Sequence, residues 1–345
     1  MHQANQKRPQ QKVSMFSDSY KATLSHFRNQ FFASEELINL WHGKLQPLPF
    51  HRRRTVSDWQ PQQQSRFIES LIVGQPQPAL FFDGSQTEWY IVDGRKRLTA
   101  LSDFVQGRFA LQSLYFLGDM YENQHFDQLP LLVRRKILNF KFEVNLLNPN
   151  TPDLVRYGVY TGLLAKGNSD VSNPCRDFLF PEGFKTLKRL YRETNPRRSG
   201  LLRSGFDVYS PEGVTGRLLV FHLYRLNMLR SNYEVLRTPV EVLVNELLTQ
   251  PDLESLVQES RFAETARRTF EQIDRPRLTT RKQAEKQEAM LALLSTQPQG
   301  QPPRNWEEWA TEAWKEIPAT PPYTGQLLEN YLKRYLYLKQ QLETK

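Results

Sequence analysis

The sequence has only one cysteine, Cys175, among its 345 residues, which excludes an internal disulfide and a thiolate metal site. Its six histidines form no His-x-x-x-His pair, so a zinc enzyme is not expected and no metal site is visible. No apolar run is long enough to span a bilayer, and the polar first residues contain no apolar signal core. We therefore expect a cytoplasmic protein without a membrane partner.

Positive charge and large apolar side chains are plentiful. The formal net charge is +9, which suits a polyanionic partner such as a nucleotide or a nucleic acid. The same balance is common in proteins that bind neither, so charge alone does not decide between these classes. The length and the many Leu, Phe and Tyr residues indicate one large or two ordinary folded domains.

Changes in composition divide the chain into five parts. The predicted parts are a disordered arm at 1–14, an α/β domain with an N-terminal helix at 15–180, a helical domain at 181–295, a Pro/Gln-rich linker at 296–305 and C-terminal helices at 306–345. The tryptophans of the last part, Trp306, Trp309 and Trp314, are expected to pack the terminal helices. A role in stacking on nucleic-acid bases is the alternative.

Hydrophobic spacing predicts the elements of the first half. Apolar residues at helical steps predict a helix from Phe16 to Trp41, and Ser57 or Asp58 is the expected cap of a second helix that Gly74 ends. Strands are predicted at 79–82, 88–93, 109–117 and 141–147, and helices at 95–107 and 131–140.

The most informative stretch is the turn Asp93-Gly94-Arg95-Lys96-Arg97, which we call the Asp93 turn. It joins a buried strand to a helix, and cations in the first turn of a helix are unfavourable beside the N-terminal partial positive charge. Such a turn is suited to hold an anion, with phosphate the natural candidate. The alternative is that the side chains reach water, Asp93 caps the helix, and Arg97 pairs with a carboxylate such as Glu69.

The order of elements around this turn has a known counterpart. The elements follow one another in this order: a helix from Arg66, a G-x-P-x-P link at 74–78, a strand, a hairpin, a strand, the DG-x-x-R turn and another helix. Over roughly residues 45–275 the sequence resembles the N-terminal domain of GmrSD-type restriction endonucleases. The resemblance implies an α+β fold, in which a small ParB/sulfiredoxin-like mixed-sheet domain precedes an all-helical domain.

The resemblance also implies a function. The family's core binds nucleoside triphosphates, and studied members hydrolyse them. Hydrolysis by this chain would call for Mg²⁺. Members of the family often act in defence against phage. The family's DGQQR motif lies at the nucleotide. Asp93, Gly94 and Arg97 match it, whereas Arg95 and Lys96 replace the two glutamines. Glutamine can position a water molecule, but Arg and Lys only donate hydrogen bonds and add charge, so weakened or lost hydrolysis and a stronger hold on phosphate are expected.

Three further positions match the family and are expected to wall the pocket: Trp59, Tyr160 and Arg176. Leu164 stands where the family has an asparagine, a second sign of a degenerate site. Before Trp59, the run Arg52, Arg53 and Arg54 is either a basic flank of the pocket or a solvated charge run. The C-terminal part carries no recognisable nuclease motif, so a fused nuclease is not expected.

Three functions follow from these observations. The first is a divergent nucleotide- or nucleic-acid-binding protein of a bacterial anti-phage or restriction system, with a protein partner from the same system. The second is an active NTPase that couples hydrolysis to DNA sensing. The third is a non-catalytic structural or partner-binding subunit with a vestigial pocket.

Overall fold

A computed structural model of the chain describes residues 26–51, 59–85, 87–164, 172–194, 211–231, 234–272, 312 and 328–343. The chain divides by its internal contacts into two compact units, Met1–Leu164 and Ala165–Lys345, which we call unit 1 and unit 2. The disordered arm, the three arginines at 52–54, the Pro/Gln-rich linker and the three C-terminal tryptophans predicted above lie outside the described residues.

Unit 1 is built on a five-stranded mixed sheet. Its strands are β1 (Phe27–Ala33), β2 (Leu45–Pro47), β3 (Leu80–Asp83), β4 (Trp89–Asp93) and β5 (Lys141–Leu147). They lie in the order β1-β5-β3-β4-β2. The β1/β5 and β3/β4 pairs are antiparallel, whereas β3/β5 and β2/β4 are parallel. The strands of each parallel pair are joined by a crossover connection that includes a helix.

Among the described residues of unit 1, six helices accompany this sheet. They are α1 (Ser34–His42), α2 (Pro61–Val73), α3 (Arg95–Val105), α4 (Gly118–Tyr121), α5 (Leu131–Asn139) and α6 (Asp153–Leu164), with short 3₁₀ turns at Pro49–His51 and Phe126–Gln128. The start of α2 differs from the prediction: the cap position is Gln60, whose N–H donates to Gln63 Oε1 at 3.0 Å. Its predicted end is confirmed, because Gly74 has the left-handed φ of +84° that favours glycine.

The core of unit 1 lies between the central strands and helices α2 and α3. Alternate positions of the strands face inward and meet the apolar stripes of the helices. The fully buried side chains include Leu80, Phe82, Ile91, Val144, Ile68, Leu71, Leu98, Leu101 and Phe104. The predicted α+β fold is thereby confirmed, and the sheet places the carboxyl end of β4 directly before α3.

Two predicted elements of unit 1 are wrong. Within the range predicted as a helix from Phe16 to Trp41, residues 27–33 form strand β1, and a helix is observed from Ser34 onward. Residues 16–25 lie outside the described residues. The apolar residues at helical spacing are overridden by seven paired positions along β5, from Phe27 with Leu147 to Ala33 with Lys141. The strand or hairpin predicted at 109–117 is an irregular segment, because its N–H groups from 112 to 117 donate to side chains rather than to a neighbouring strand.

Unit 2 contains helices and no strand among its described residues. They are α7 (Ser172–Leu179), α8 (Pro181–Thr194), α9 (Pro211–Arg225), α10 (Val240–Leu248), α11 (Leu253–Glu259), α12 (Phe262–Gln272) and α13 (Leu328–Glu343), with a 3₁₀ turn at Val235–Arg237. Helices α11 and α12 are separated at Arg261, whose φ is +51°. Among the residues that the structure describes, none forms a helix long and apolar enough to cross a membrane.

Candidate functional site

The Asp93 turn is built around Gly94, and any other residue there would force neighbouring atoms to move. Strand β4 ends at Asp93, and Gly94 has a φ of +106° before α3 begins at Arg95. A Cβ atom on Gly94 would lie 2.2 Å from Leu80 Cδ2, well inside van der Waals contact. The left-handed backbone and the close approach of β3 therefore both require glycine, and together they set the direction of α3.

The N-terminus of α3 has no side-chain cap and no acidic residue in its first turn. The alternative in which Asp93 caps this helix is wrong, because the cap position is Gly94. Arg95 and Lys96 are partly exposed, and Lys96 has no ion-pair partner among the described residues. Backbone N–H groups and cationic side chains therefore lie on the same turn, an arrangement with the chemistry to bind a phosphate.

Arg97 differs from its two neighbours, because its guanidinium is held inside unit 1. Nη1 donates to the Pro78 carbonyl, and Nη2 donates to the Ala79 carbonyl at 3.2 Å and to Asp93 Oδ2 at 3.3 Å. Burial lowers the pKa of Arg97, and the Asp93 carboxylate partly opposes that shift. Arg97 thus fastens the link before β3 to the start of α3, and Asp93 offsets part of its charge.

Arg97 pairs with a carboxylate, as the alternative interpretation expected, but not with Glu69. Glu69 is buried on α2, where its carboxylate accepts the N–H groups of Tyr115, Phe116 and Leu117 at 2.9, 2.6 and 2.8 Å. Three backbone donors satisfy a buried carboxylate well, so Glu69 needs no cation. The carboxylate partner of Arg97 is Asp93, four residues before it on the same turn.

Trp59 lies before α2, where it is partly exposed. Its ring packs against Phe67 with the ring centroids 5.5 Å apart, and Phe67 in turn packs against Phe142 on β5. The tryptophan therefore covers the edge of the core between α2 and the sheet. Its assignment as a pocket wall stays a prediction.

Tyr160 belongs to a buried polar cluster that sequence reasoning missed. Its side chain is fully buried on α6, and its hydroxyl donates to Oδ2 of Asp83, which is itself fully buried at the end of β3. Arg156 Nε donates to the same oxygen at 2.8 Å, and Arg156 Nη1 reaches Asp153 at 2.6 Å. The Ser85 N–H donates to Asp83 Oδ1 at 2.8 Å. Asp83 thus ties α6 to the β3–β4 turn.

The charges in this cluster shift the titration of its members. Burial raises the pKa of Tyr160, and the neighbouring Asp83 carboxylate raises it further. Burial opposes the charge of Arg156, but the ion pair with Asp83 outweighs it and raises the pKa of Arg156. The i, i+4 spacing of Arg156 and Tyr160 could have signalled a shared partner on one face of α6.

Arg176 lies in unit 2, where it is buried on α7. Its Nε donates to Asn245 Oδ1 at 2.8 Å and its Nη2 to Glu241 Oε2 at 2.6 Å. Glu241 also accepts from Arg217 Nη1 at 2.6 Å, so one carboxylate joins two arginines. Burial opposes ionisation of Glu241, but the two guanidiniums outweigh it and lower its pKa. In the described residues Arg176 therefore ties α7 to α10, and its role at a pocket stays a prediction.

No group of three or more metal-ligating side chains occurs among the residues that the structure describes. Arg52, Arg53 and Arg54 lie outside those residues, so their contribution to the Asp93 turn also stays a prediction. The turn itself joins Asp93 and Arg97 by an ion pair, with Gly94, Arg95 and Lys96 between them.

The fold and the turn define an α+β protein with a strand, a glycine turn and a cationic helix start at its centre. The family model described as GmrSD restriction endonuclease, N-terminal domain, matches residues 52–342, and the chain belongs to this family. The sequence pattern indicated roughly residues 45–275, and the match begins close to that start but continues further toward the C-terminus. A comparison with curated proteins and another with solved structures found no match to the chain.

Proposed function

We propose that the chain is a divergent GmrSD-type protein that binds the phosphate of a nucleotide or a nucleic acid at the Asp93 turn. In this proposal it acts in a bacterial restriction or anti-phage system, together with a protein partner from that system. Family membership supports the restriction context. The observation that carries the phosphate site is the uncapped start of α3, which has three cations and no carboxylate in its first turn.

The residues of the turn have different roles in this proposal. The N–H groups at the start of α3 and the side chains of Arg95 and Lys96 bind the anion, since partial and full positive charges then act on the same oxygens. Gly94 allows the close packing that aims the helix, and Arg97 holds the preceding link in place. We also propose that the sheet of unit 1 belongs to the ParB/sulfiredoxin-like class, followed by a helical domain.

Binding at this turn is tested with fluorescence anisotropy on labelled ATP, labelled GTP and a labelled oligonucleotide, over a series of salt concentrations. The R95Q/K96Q variant removes two charges from the turn, and R28Q/K185Q removes two from exposed positions elsewhere. We expect R95Q/K96Q to weaken binding about tenfold or more and to flatten the salt dependence. We expect R28Q/K185Q to leave affinity within about twofold. Equal affinity of the two variants would refute the assignment.

An active NTPase is a second candidate, favoured by the retained Asp93, Gly94 and Arg97 and by their close association in the turn. It predicts Mg²⁺-dependent phosphate release from ATP or GTP by the full chain. The matched control is Arg97→Ala, measured after its folding has been checked by circular dichroism. Release by the wild type no faster than by this variant would exclude hydrolysis at the turn and leave binding as the function.

A further inference from the structure

The segment 112–117 of unit 1 is fixed by an unusual set of side-chain acceptors. The Gln112 N–H donates to Ser65 Oγ at 3.0 Å, and the next two N–H groups donate to Glu122 at 2.6 and 3.3 Å. The last three donate to the buried carboxylate of Glu69. Six consecutive backbone donors are thus satisfied by only three side chains, so the path of this segment is fixed although it is neither helix nor strand.

The fixed segment presents two aromatic rings to solvent. Tyr115 is 67% exposed and Phe116 is 76% exposed, with their ring centroids 6.4 Å apart. The Arg66 guanidinium lies 4.1 Å from the centroid of the Tyr115 ring, and Arg66 Nε donates to the Ser113 carbonyl at 3.4 Å. We call Arg66, Tyr115 and Phe116 the aromatic platform. Exposed rings on a backbone that is already ordered can bind a ligand at a low cost in conformational entropy.

Arg66 is the cation that the structure places at the platform. The carboxylates of Glu69 and Glu122 are engaged by backbone donors, whereas Arg66 has no acidic partner among the described residues. The chain as a whole has a net charge of +9.

We propose that the aromatic platform binds single-stranded nucleic acid, with unpaired bases stacked on Tyr115 and Phe116 and a phosphate attracted by Arg66. Aromatic faces stack on any base, and a guanidinium both stacks and pairs with phosphate, so this composition suits strands of any sequence. A protein interface could also use exposed Tyr and Phe, but Arg66, which lies on the Tyr115 ring without an acidic partner among the described residues, favours the nucleic acid. The platform shares no residue with the Asp93 turn and stands whether or not that turn binds phosphate.

The test uses the full chain and a fluorescein-labelled single strand of about 16 nucleotides, with the corresponding duplex as a second probe. The Y115A/F116A variant removes both rings without touching the core. Phe31→Ala is the matched control, because Phe31 is also 67% exposed in unit 1 but lies on β1. We expect Y115A/F116A to weaken single-strand binding at least about tenfold and duplex binding much less, and Phe31→Ala to change neither.

A second variant tests whether the ordered backbone is part of the platform. Glu69→Gln replaces one acceptor oxygen by an NH₂ group, so the three N–H groups at 115–117 cannot all be satisfied. In folded Glu69→Gln protein we expect weaker single-strand binding than in the wild type, with the rings still present. Single-strand affinity unchanged in Y115A/F116A would overturn the proposal. So would a loss of self-association in that variant, measured by light scattering, with its nucleic-acid binding intact.

Discussion

Substitution of Gly94 by alanine is expected to destabilise unit 1 through two separable effects. A non-glycine residue at a φ of +106° costs about 1–2 kcal/mol in backbone strain. The added Cβ would lie 2.2 Å from Leu80 Cδ2, and overpacking of this kind costs about 1–3 kcal/mol more. The free energy of unfolding should therefore fall by roughly 2–5 kcal/mol, a large share of the stability of an ordinary domain.

Gly74 provides the matched control for the backbone effect. Its φ is +84°, but a Cβ there would meet nothing within 4 Å, so Gly74→Ala should cost only about 1–2 kcal/mol. The packing effect is isolated by Leu80→Val, which removes both Cδ atoms. In the G94A/L80V double variant the total loss should be smaller than the sum of the two single losses, because the clash is relieved.

The assay is urea unfolding of each variant, followed by circular dichroism and by tryptophan fluorescence. The two probes together report whether unit 1 unfolds separately from unit 2. A loss in Gly94→Ala no greater than in Gly74→Ala would refute the packing argument. Strict additivity of the Gly94 and Leu80 substitutions would refute it as well, since the two sites would then not be in contact.

Three further predictions concern the buried carboxylates. Tyr160→Phe removes a donor to Asp83 and should lower the free energy of unfolding by about 1.5–3 kcal/mol at pH 7. The raised pKa keeps Tyr160 protonated in the folded state, whereas tyrosine in the unfolded chain ionises near 10.0. The free energy of unfolding of the wild type should therefore fall as the pH rises above that value. Urea unfolding at several pH values should show that Tyr160→Phe lacks this pH-dependent loss. The pKa of Glu241 is lowered in the folded state, so its contribution to the free energy of unfolding is present above its ordinary pKa of 4.5 and is lost as the pH falls below that value. Glu241→Gln should therefore lose less stability between pH 7 and pH 4 than the wild type does. Glu69→Ala should cost about 3 kcal/mol in urea unfolding, more than Glu122→Ala, because Glu69 is the more buried carboxylate; equal losses would contradict this ranking.

The centre of unit 1 could be predicted from the sequence because local signals and tertiary structure agree there. Pro61 and Gly74 bound α2, alternating apolar residues mark β3 and β4, and Gly94 marks the start of α3. Each of these signals is confined to a few neighbouring residues. The order of elements they produce was also sufficient to recognise the family, and the family match confirms that step.

The remaining features depend on partners far away in the sequence. Strand β1 exists because residues 27–33 pair with residues 141–147, and nothing within the segment itself distinguishes this pairing from a helical stripe. The segment 112–117 is irregular because its acceptors lie on α2 and at Glu122. Asp83 reads locally as a turn residue, and only the fold brings it to Arg156. Contacts over such separations are decided by packing, which local spacing does not encode.

The most direct test of the phosphate-binding turn is an NMR titration of ¹⁵N-labelled full-length protein with pyrophosphate. If the start of α3 binds phosphate, the amide signals of Lys96 and Arg97 should shift and saturate together, because their N–H groups lie at the uncapped end of the helix. The amide of Gly107, beyond the other end of α3, should stay unchanged. Unchanged signals at 95–97, or saturable shifts confined to another part of the chain, would contradict the assignment.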